Sequence, residues 1–267
     1  MTIDPTTELY VSVAAQPGRF GATVYNALFA RYGLNKVYVP RRAPASAGAL
    51  VTAIRALDLR GVSVSMPLKA AVVPLLDEVE PIAMAAESVN TIVHRDGRLL
   101  GFNTDHFGAS RVLAAFEPRR VVVYGAGAAA GTVLLAARGA GATELTVVAR
   151  RPERARALAR RFDAAAALPD ELTGRYDVLV NCTPASLERT HPALMALVDQ
   201  ADALFDLVVA PEDTPLVAYA ADRGHRVARG IEMALFQLQR QFEHYCGFLP
   251  DVEEIWGIIH RRYRRAV

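Results

Sequence analysis

The chain has 267 residues, of which 52% are hydrophobic and 22% charged, with a formal net charge of +2. That length suits one large domain or two ordinary ones and supplies a sizeable core. So small a net charge argues against a nucleic-acid binder driven by bulk electrostatics, and the arginine clusters Arg160–Arg161 and Arg261–Arg265 read as solvated helix faces and a basic terminus. Two scattered cysteines, Cys182 and Cys246, make neither a disulfide framework nor a metal site and fit a reducing cytosol. The chain opens without a basic-then-apolar leader, and no apolar run reaches membrane-spanning length. The expectation is a soluble cytoplasmic protein with no membrane partner and no metal.

Glu8 to Ala14 reads as a first strand, and the Pro- and Gly-containing stretch Gln16 to Gly21 as a loop. Thr23 to Tyr32 carries Val24, Tyr25, Leu28, Phe29 and Tyr32 at helical spacing. Lys36 to Pro40 is a second strand and Ala47 to Leu57 a second helix. Gly61 to Met66 is a third strand, running straight into Pro67. Ala70 to Leu76 and Ile82 to Glu87 look helical, and Val89 to His94 pairs with Leu99 to Phe102 as a hairpin around Asp96-Gly97. These first hundred residues make a small α/β unit. A helix from Asp105 to Phe116 bridges into the second half of the chain.

Val121 to Tyr124 is an apolar, β-branched run of the kind that fits a buried parallel strand. Gly125 and Gly127 come immediately after it, then a run of small helix formers, with Ala130 at the third fingerprint position and Gly131 beyond it. Strand, tight turn and helix start together bind a pyrophosphate: glycines let backbone approach phosphate, and free helix N–H groups receive the charge. Later strands are expected at Leu145–Ala149, Val178–Asn181, Ala203–Leu207 and His225–Ala228, giving a doubly wound parallel sheet. Met233 to Tyr245 and Val252 to Tyr263 close the chain as amphipathic helices, and the alanine run Ala164–Ala167 reads as biased composition.

The second strand of such a sheet decides the cofactor. An NAD site places an acidic residue at its end to hold the ribose 2′-hydroxyl. Here the strand ends in Arg150 and Arg151, with Arg154 one turn on, while Glu144 sits at its beginning. Guanidinium forks suit a 2′-phosphate, so NADP(H) is favoured. Two further residues suit proton transfer. Lys69 comes after a strand that ends in a proline, and as a helix-start cation it would oppose the macrodipole by about 0.3–1 kcal/mol. Asp105 lies at the joint between the halves, as an N-cap or as a working carboxylate. Facing a cleft beside a nicotinamide, the two would form an acid–base pair for ketone reduction.

VSVSMPLK, ESVNTIV, GFNTDHFG, GAGAAAG, VNCTP, DLVVAPEDTPL and GIEMALFQ occur in an order and spacing that resembles the shikimate dehydrogenases, over roughly Leu9 to Pro250. The resemblance implies an α/β substrate domain over 1–104, a Rossmann-type NADP domain over 105–230, and C-terminal helices over 231–267 returning to the first domain. It implies reversible reduction of 3-dehydroshikimate by NADPH, with Lys69 and Asp105 as the catalytic pair. Ser65, Asn90 and Gln237 match positions on the substrate's hydroxyls. Gly125, Ala126, Gly127, Ala128, Ala129, Arg150, Thr183, Gly230 and Met233 match the cofactor site, with Arg151 a weaker match. The protein would be a monomer or homodimer acting on a small cyclic hydroxy acid.

Departures from the family pattern are as telling. Its first loop carries Ser-x-Ser-Pro on the substrate carboxylate; here the stretch is Arg19-Phe20-Gly21-Ala22, and Arg19 becomes the candidate carboxylate ligand. Ser63 stands where the family has an asparagine and is a candidate substrate ligand in its place; the family's substrate threonine is Ser65, and its tyrosine after Asp206 is Val209. Each lost partner leaves a buried substrate oxygen unsatisfied at about 1–3 kcal/mol. The pattern resembles the shikimate dehydrogenase-like branch. Quinate or aminoshikimate dehydrogenase, or a weakly catalytic NADP-binding module, are the alternatives. His106 reads as structural, Cys182 as a small core residue and Trp256 as helix packing.

Overall fold

The computed structural model describes residues 3–187, 191–210 and 212–263; Arg264 and Arg265 of the basic C-terminal run lie outside them. The chain divides into two compact units, Met1–Thr104 with Gln237–Val267, and Asp105–Phe236.

In the first unit the elements run β1 (Glu8–Ala14), α1 (Phe20–Arg31), β2 (Lys36–Arg42), α2 (Ala47–Ala56), β3 (Gly61–Val64), β4 (Glu78–Val79), α3 (Pro81–Ala86), β5 (Thr91–Arg95) and β6 (Arg98–Phe102). They form one sheet in the order β2-β1-β3-β5-β6-β4. β2, β1 and β3 are parallel, while β5 runs antiparallel to both β3 and β6. One face buries Val11, Val13, Val62, Val64 and Ile92 against Leu50 and Ile54 of α2. On the other face the aromatics dominate. The Tyr25 and Tyr38 rings pack at a tilt with centroids 4.6 Å apart, as do Tyr10 and Phe29 at 5.5 Å. α1 is a helix because Val24, Tyr25, Leu28 and Phe29 fall on one stripe and are all buried. The Asn26 amide then clamps it to β2, exchanging 2.8 Å hydrogen bonds with the Tyr38 backbone N–H and carbonyl.

The expected helix at Ala70–Leu76 is not there. The segment is a series of turns with one 3-10 turn at Val73–Leu75. Pro74 lacks the N–H that an α-helix would need, and the stretch between Pro67 and Pro74 is too short to hold one. Lys69 therefore sits in a turn, where no helix macrodipole opposes its charge.

The second unit begins with α4 (Thr104–Ala114), whose first residue still belongs to the first unit. Next come β7 (Arg120–Tyr124), α5 (Ala128–Gly139), β8 (Glu144–Val148), α6 (Pro152–Arg161), β9 (Ala165–Ala167), β10 (Tyr176–Asn181), α7 (Pro192–Asp199), β11 (Ala201–Asp206), α8 (Pro215–Asp222) and β12 (Arg226–Arg229). The sheet order is β12-β11-β10-β7-β8-β9, parallel at every pairing. The alanine run is a strand after all, paired at the edge with β8.

The chain ends with α9 (Gly230–Cys246) and α10 (Val252–Ile258). The second unit extends to Phe236 and not just to residue 230, because Met233 and Phe236 of α9 pack against its core. Gly230 opens that helix where a Cβ would lie 2.5 Å from the carbonyl oxygens of Leu207 and Val208, an approach only glycine allows. The later part of α9 and α10 belong to the first unit, where Phe242 stands 5.9 Å from Phe29. Trp256 is half-buried, edge-on to His260 at 4.3 Å. Among the described residues no helix is long and apolar enough to cross a membrane.

Candidate functional site

In the first unit, backbone hydrogen bonds gather the candidate substrate residues around the ends of β3 and β5. Val64 N–H donates to the Asn90 carbonyl at 2.7 Å, and Val89 N–H to the Lys69 carbonyl at 2.9 Å. Leu68 and Val72, buried in the core on either side of Lys69, fix the turn that carries it. Lys69 is half-buried, whereas Ser65, at the end of β3, is exposed. Arg19 is exposed just before α1, with its carbonyl accepting from the Thr23 N–H and hydroxyl.

Asn90 is buried and held from several sides. Its Oδ1 accepts from the Thr104 N–H at 2.8 Å and from the Thr91 hydroxyl at 2.9 Å, and its Nδ2 donates to Thr104 Oγ1 at 3.0 Å. Gln237 Nε2 donates to the same Thr104 oxygen at 3.3 Å. Asn90 and Gln237, chosen from the sequence, thus share one partner that sequence reasoning overlooked. Gln241, one turn after Gln237, was overlooked too. Its amide is buried, donating to Thr91 Oγ1 at 2.6 Å and accepting from Tyr25 OH at 2.6 Å.

Ser63 turns out differently from expectation. Its hydroxyl donates to Gln241 Oε1 at 2.7 Å, accepts from Tyr38 OH, and lies 3.1 Å from Tyr245 OH. A hydroxyl has one proton and two lone pairs, so these partners use its whole capacity. Ser63 holds the floor of the site together and has nothing left for a ligand.

In the second unit the fingerprint turn lies between β7 and α5. Gly125 has φ +121, and a Cβ there would stand 2.7 Å from Thr183 Cγ2 and 3.3 Å from Cys182 Cβ. Gly127 precedes α5 without any side-chain cap, no acidic residue lies in the first turn, and a Cβ on Gly127 would meet nothing within 4 Å. Ala128 and Ala129 are exposed, and Ala130 is fully buried on the sheet. Uncapped N–H groups above an open glycine form the cradle a pyrophosphate needs, so these residues fit a dinucleotide. The two glycines predict opposite variants. Gly125→Ala should lose about 1–3 kcal/mol of stability through strain and collision. Gly127→Ala should melt like the parent yet bind NADPH at least about ten-fold more weakly, as its methyl fills the cradle. Thermal unfolding beside a fluorescence titration separates the two.

Thr183 donates its hydroxyl to Asn181 Oδ1 at 2.8 Å, and its Oγ1 accepts from Ala185 N–H at 3.2 Å. Asn181 in turn donates to the buried Asp206 at 2.9 Å, and Asp206 accepts from the Thr214 hydroxyl at 2.7 Å. This chain fixes the loops after β10 and β11. Burial raises the Cys182 thiol, with the Asp206 carboxylate adding to the effect, so it is no nucleophile. Burial likewise lowers His106, leaving it a neutral helix residue beside Ser110. After β8, Arg150, Arg151 and Arg154 are exposed. Glu144 is taken up at the strand's other end, 2.9 Å from Arg120.

Residues 20–92 match the family model for the shikimate dehydrogenase substrate binding domain, and residues 108–214 that for shikimate/quinate 5-dehydrogenase. A shikimate dehydrogenase-like protein of Haemophilus influenzae is 33% identical over 95% of this chain and 96% of its own. The shikimate 5-dehydrogenase of Thermus thermophilus, solved with NADP(H) and shikimate, is 31% identical with a TM-score of 0.83, over 95% of this chain and 99% of its own. A quinate dehydrogenase of Corynebacterium glutamicum, solved with NAD, is 25% identical with a TM-score of 0.84, over 96% and 99%.

Proposed function

Because the chain belongs to the shikimate dehydrogenase family, we propose that it is an NADP-dependent oxidoreductase interconverting 3-dehydroshikimate and shikimate, or a close analogue. The observation that carries this reading is the backbone hydrogen bond from the residue before Asn90 to the Lys69 carbonyl, which ties the turn carrying Lys69 to the segment carrying Asn90. NADPH, when bound at the Gly125–Ala129 turn, supplies the hydride. Lys69 gives the proton to the carbonyl oxygen as it becomes an alkoxide, and takes it back in the reverse direction. Asp105, in the first turn of α4, is the second acid–base group of this reading. Asn90, Gln237 and Ser65 orient the ring hydroxyls, and Arg19 receives the carboxylate by its fork. Ser63 is left out of the ligand set.

Steady-state oxidation of shikimate and quinate, each with NADP and with NAD, tests the reading. NADP-dependent turnover of shikimate is the expected result. Preference for quinate would move the assignment to the analogue, in keeping with the altered Arg19-Phe20-Gly21 loop. Tight NADPH binding with no turnover of any cyclic hydroxy acid would overturn it in favour of a binding module.

A further inference from the structure

Asp206 is the last residue of β11, and it is fully buried. Its Oδ1 accepts from Asn181 Nδ2 at 2.9 Å and from the Val208 N–H at 3.3 Å, and its Oδ2 accepts from the Thr214 hydroxyl at 2.7 Å. All three donors are neutral, so they hold the carboxylate without cancelling its charge. Arg229, its register neighbour on β12, is taken by Asp213 at 2.8 Å. Fastening two loops does not require a charge. An amide would keep both bonds on Oδ1, whereas a buried carboxylate without a cation is costly. A charge retained against that cost points to a task for the charge itself.

The strand order places this charge relative to the dinucleotide. From β7 the chain lays β8 and β9 to one side, then β10, β11 and β12 to the other. A dinucleotide crosses such a sheet at the carboxyl ends of the strands, where the order reverses. With the pyrophosphate on the Gly125–Ala129 turn after β7 and the 2′-phosphate on Arg150 after β8, the nicotinamide half runs the other way, over the ends of β10 and β11. There Thr183 and Cys182 stand against Gly125, 2.7 and 3.3 Å from where its Cβ would be. Asp206 is the register partner of Asn181, the residue before Cys182. Its charge reaches this wall: burial pushes the Cys182 thiol up, and the Asp206 carboxylate pushes it further. The two redox forms of the cofactor differ there by one positive charge, which the oxidised ring carries.

We propose that Asp206 is an electrostatic element of the cofactor site, a buried negative charge that favours the cationic ring of NADP+ over the neutral ring of NADPH. The proposal rests on the reading that the dinucleotide lies along these strand ends. Asp206 acts through space, in surroundings where water screens little. By favouring the oxidised form it makes bound NADPH the stronger hydride donor. The ring gives up a hydride and becomes cationic beside Asp206, while the ketone carbon receives that hydride and its oxygen takes the proton.

Asp206→Asn tests this, because it keeps Oδ1 for Asn181 and Val208 and removes only the charge. Fluorescence and calorimetric titrations should show the dissociation constant for NADP+ rising at least about five-fold. Those for NADPH and for 2′,5′-ADP, which lack the ring charge, should stay within about two-fold. If NADP+ loses no more affinity than NADPH, Asp206 only fastens loops and the proposal is overturned. An equal loss for 2′,5′-ADP would overturn it in the same way. If Gly127→Ala and Arg150→Ala leave binding of NADP+ and 2′,5′-ADP unchanged, the placement of the dinucleotide itself fails. Should Asp206→Asn not fold, the parent protein carries the test. An NADP+ analogue with a neutral benzamide ring in place of the pyridinium should bind at least about five-fold more weakly than NADP+ itself. Equal or tighter binding of the neutral ring would overturn the proposal.

Discussion

Lys69→Met lowers kcat for shikimate oxidation by about 10²–10⁴-fold, the range a positioned acid–base group contributes. The midpoint of that range corresponds to about 4 kcal/mol of transition-state stabilisation. Methionine keeps the length and apolar stem of lysine and removes only the ammonium, and the turn itself is held by Leu68, Val72 and the Val89 N–H, none of which changes. The loss should therefore fall on kcat and kcat/KM together, with NADPH binding and thermal unfolding unaltered. That combination marks an interaction made in the transition state. A rise in KM with kcat intact would instead make Lys69 a binding residue, and the proton would have to be assigned elsewhere. Asp105→Asn should show the same pattern with a smaller loss, because the amine remains to deliver the proton.

Where chemistry is local, the fold and site were legible in the sequence. The β7–turn–α5 unit was readable because its strand, its two glycines and its small-residue helix are contiguous, and each demands the next. The end of β8 was readable for the same reason. The segment at Ala70–Leu76 was misread because its apolar content outweighed Pro74, which decides the matter against a helix. The strands Glu78–Val79 and Ala165–Ala167 were invisible because two or three residues carry no alternation, and only pairing at a sheet edge makes them strands. The domain boundary shifted because Met233 and Phe236 pack with the second unit's core. The floor of the proposed substrate site was illegible for a different reason. Ser63 meets Tyr38, Gln241 and Tyr245, partners far away in sequence, and nothing near Ser63 announces that its hydroxyl is already saturated. Thr104 was hidden by its own neighbours, since Asn103 and Asp105 account for a helix start without it.

The cofactor preference yields the second large effect. Arg150→Ala combined with Arg151→Ala should cut kcat/KM for NADP by about 10²-fold while leaving that for NAD within a few-fold. Hydrogen bonds to a charged group contribute about 1.5–3 kcal/mol each, so two would give about 3–6 kcal/mol if fully formed in a dry site. Both side chains are exposed, however, and solvent and salt weaken exposed charge pairs. The lower end of the range is the one to expect, and a tenfold change takes about 1.4 kcal/mol. NAD should be indifferent because it lacks the 2′-phosphate. It should not gain, because no acidic residue stands at the end of β8 to hold the free 2′-hydroxyl; Glu144 is paired with Arg120 at the other end. Raising ionic strength provides an independent check. In the parent, KM for NADP should climb with salt and KM for NAD should not, and the double variant should erase that difference. If the NADP-to-NAD ratio survives the double substitution, Arg154 on α6 becomes the remaining candidate, one turn beyond Arg150.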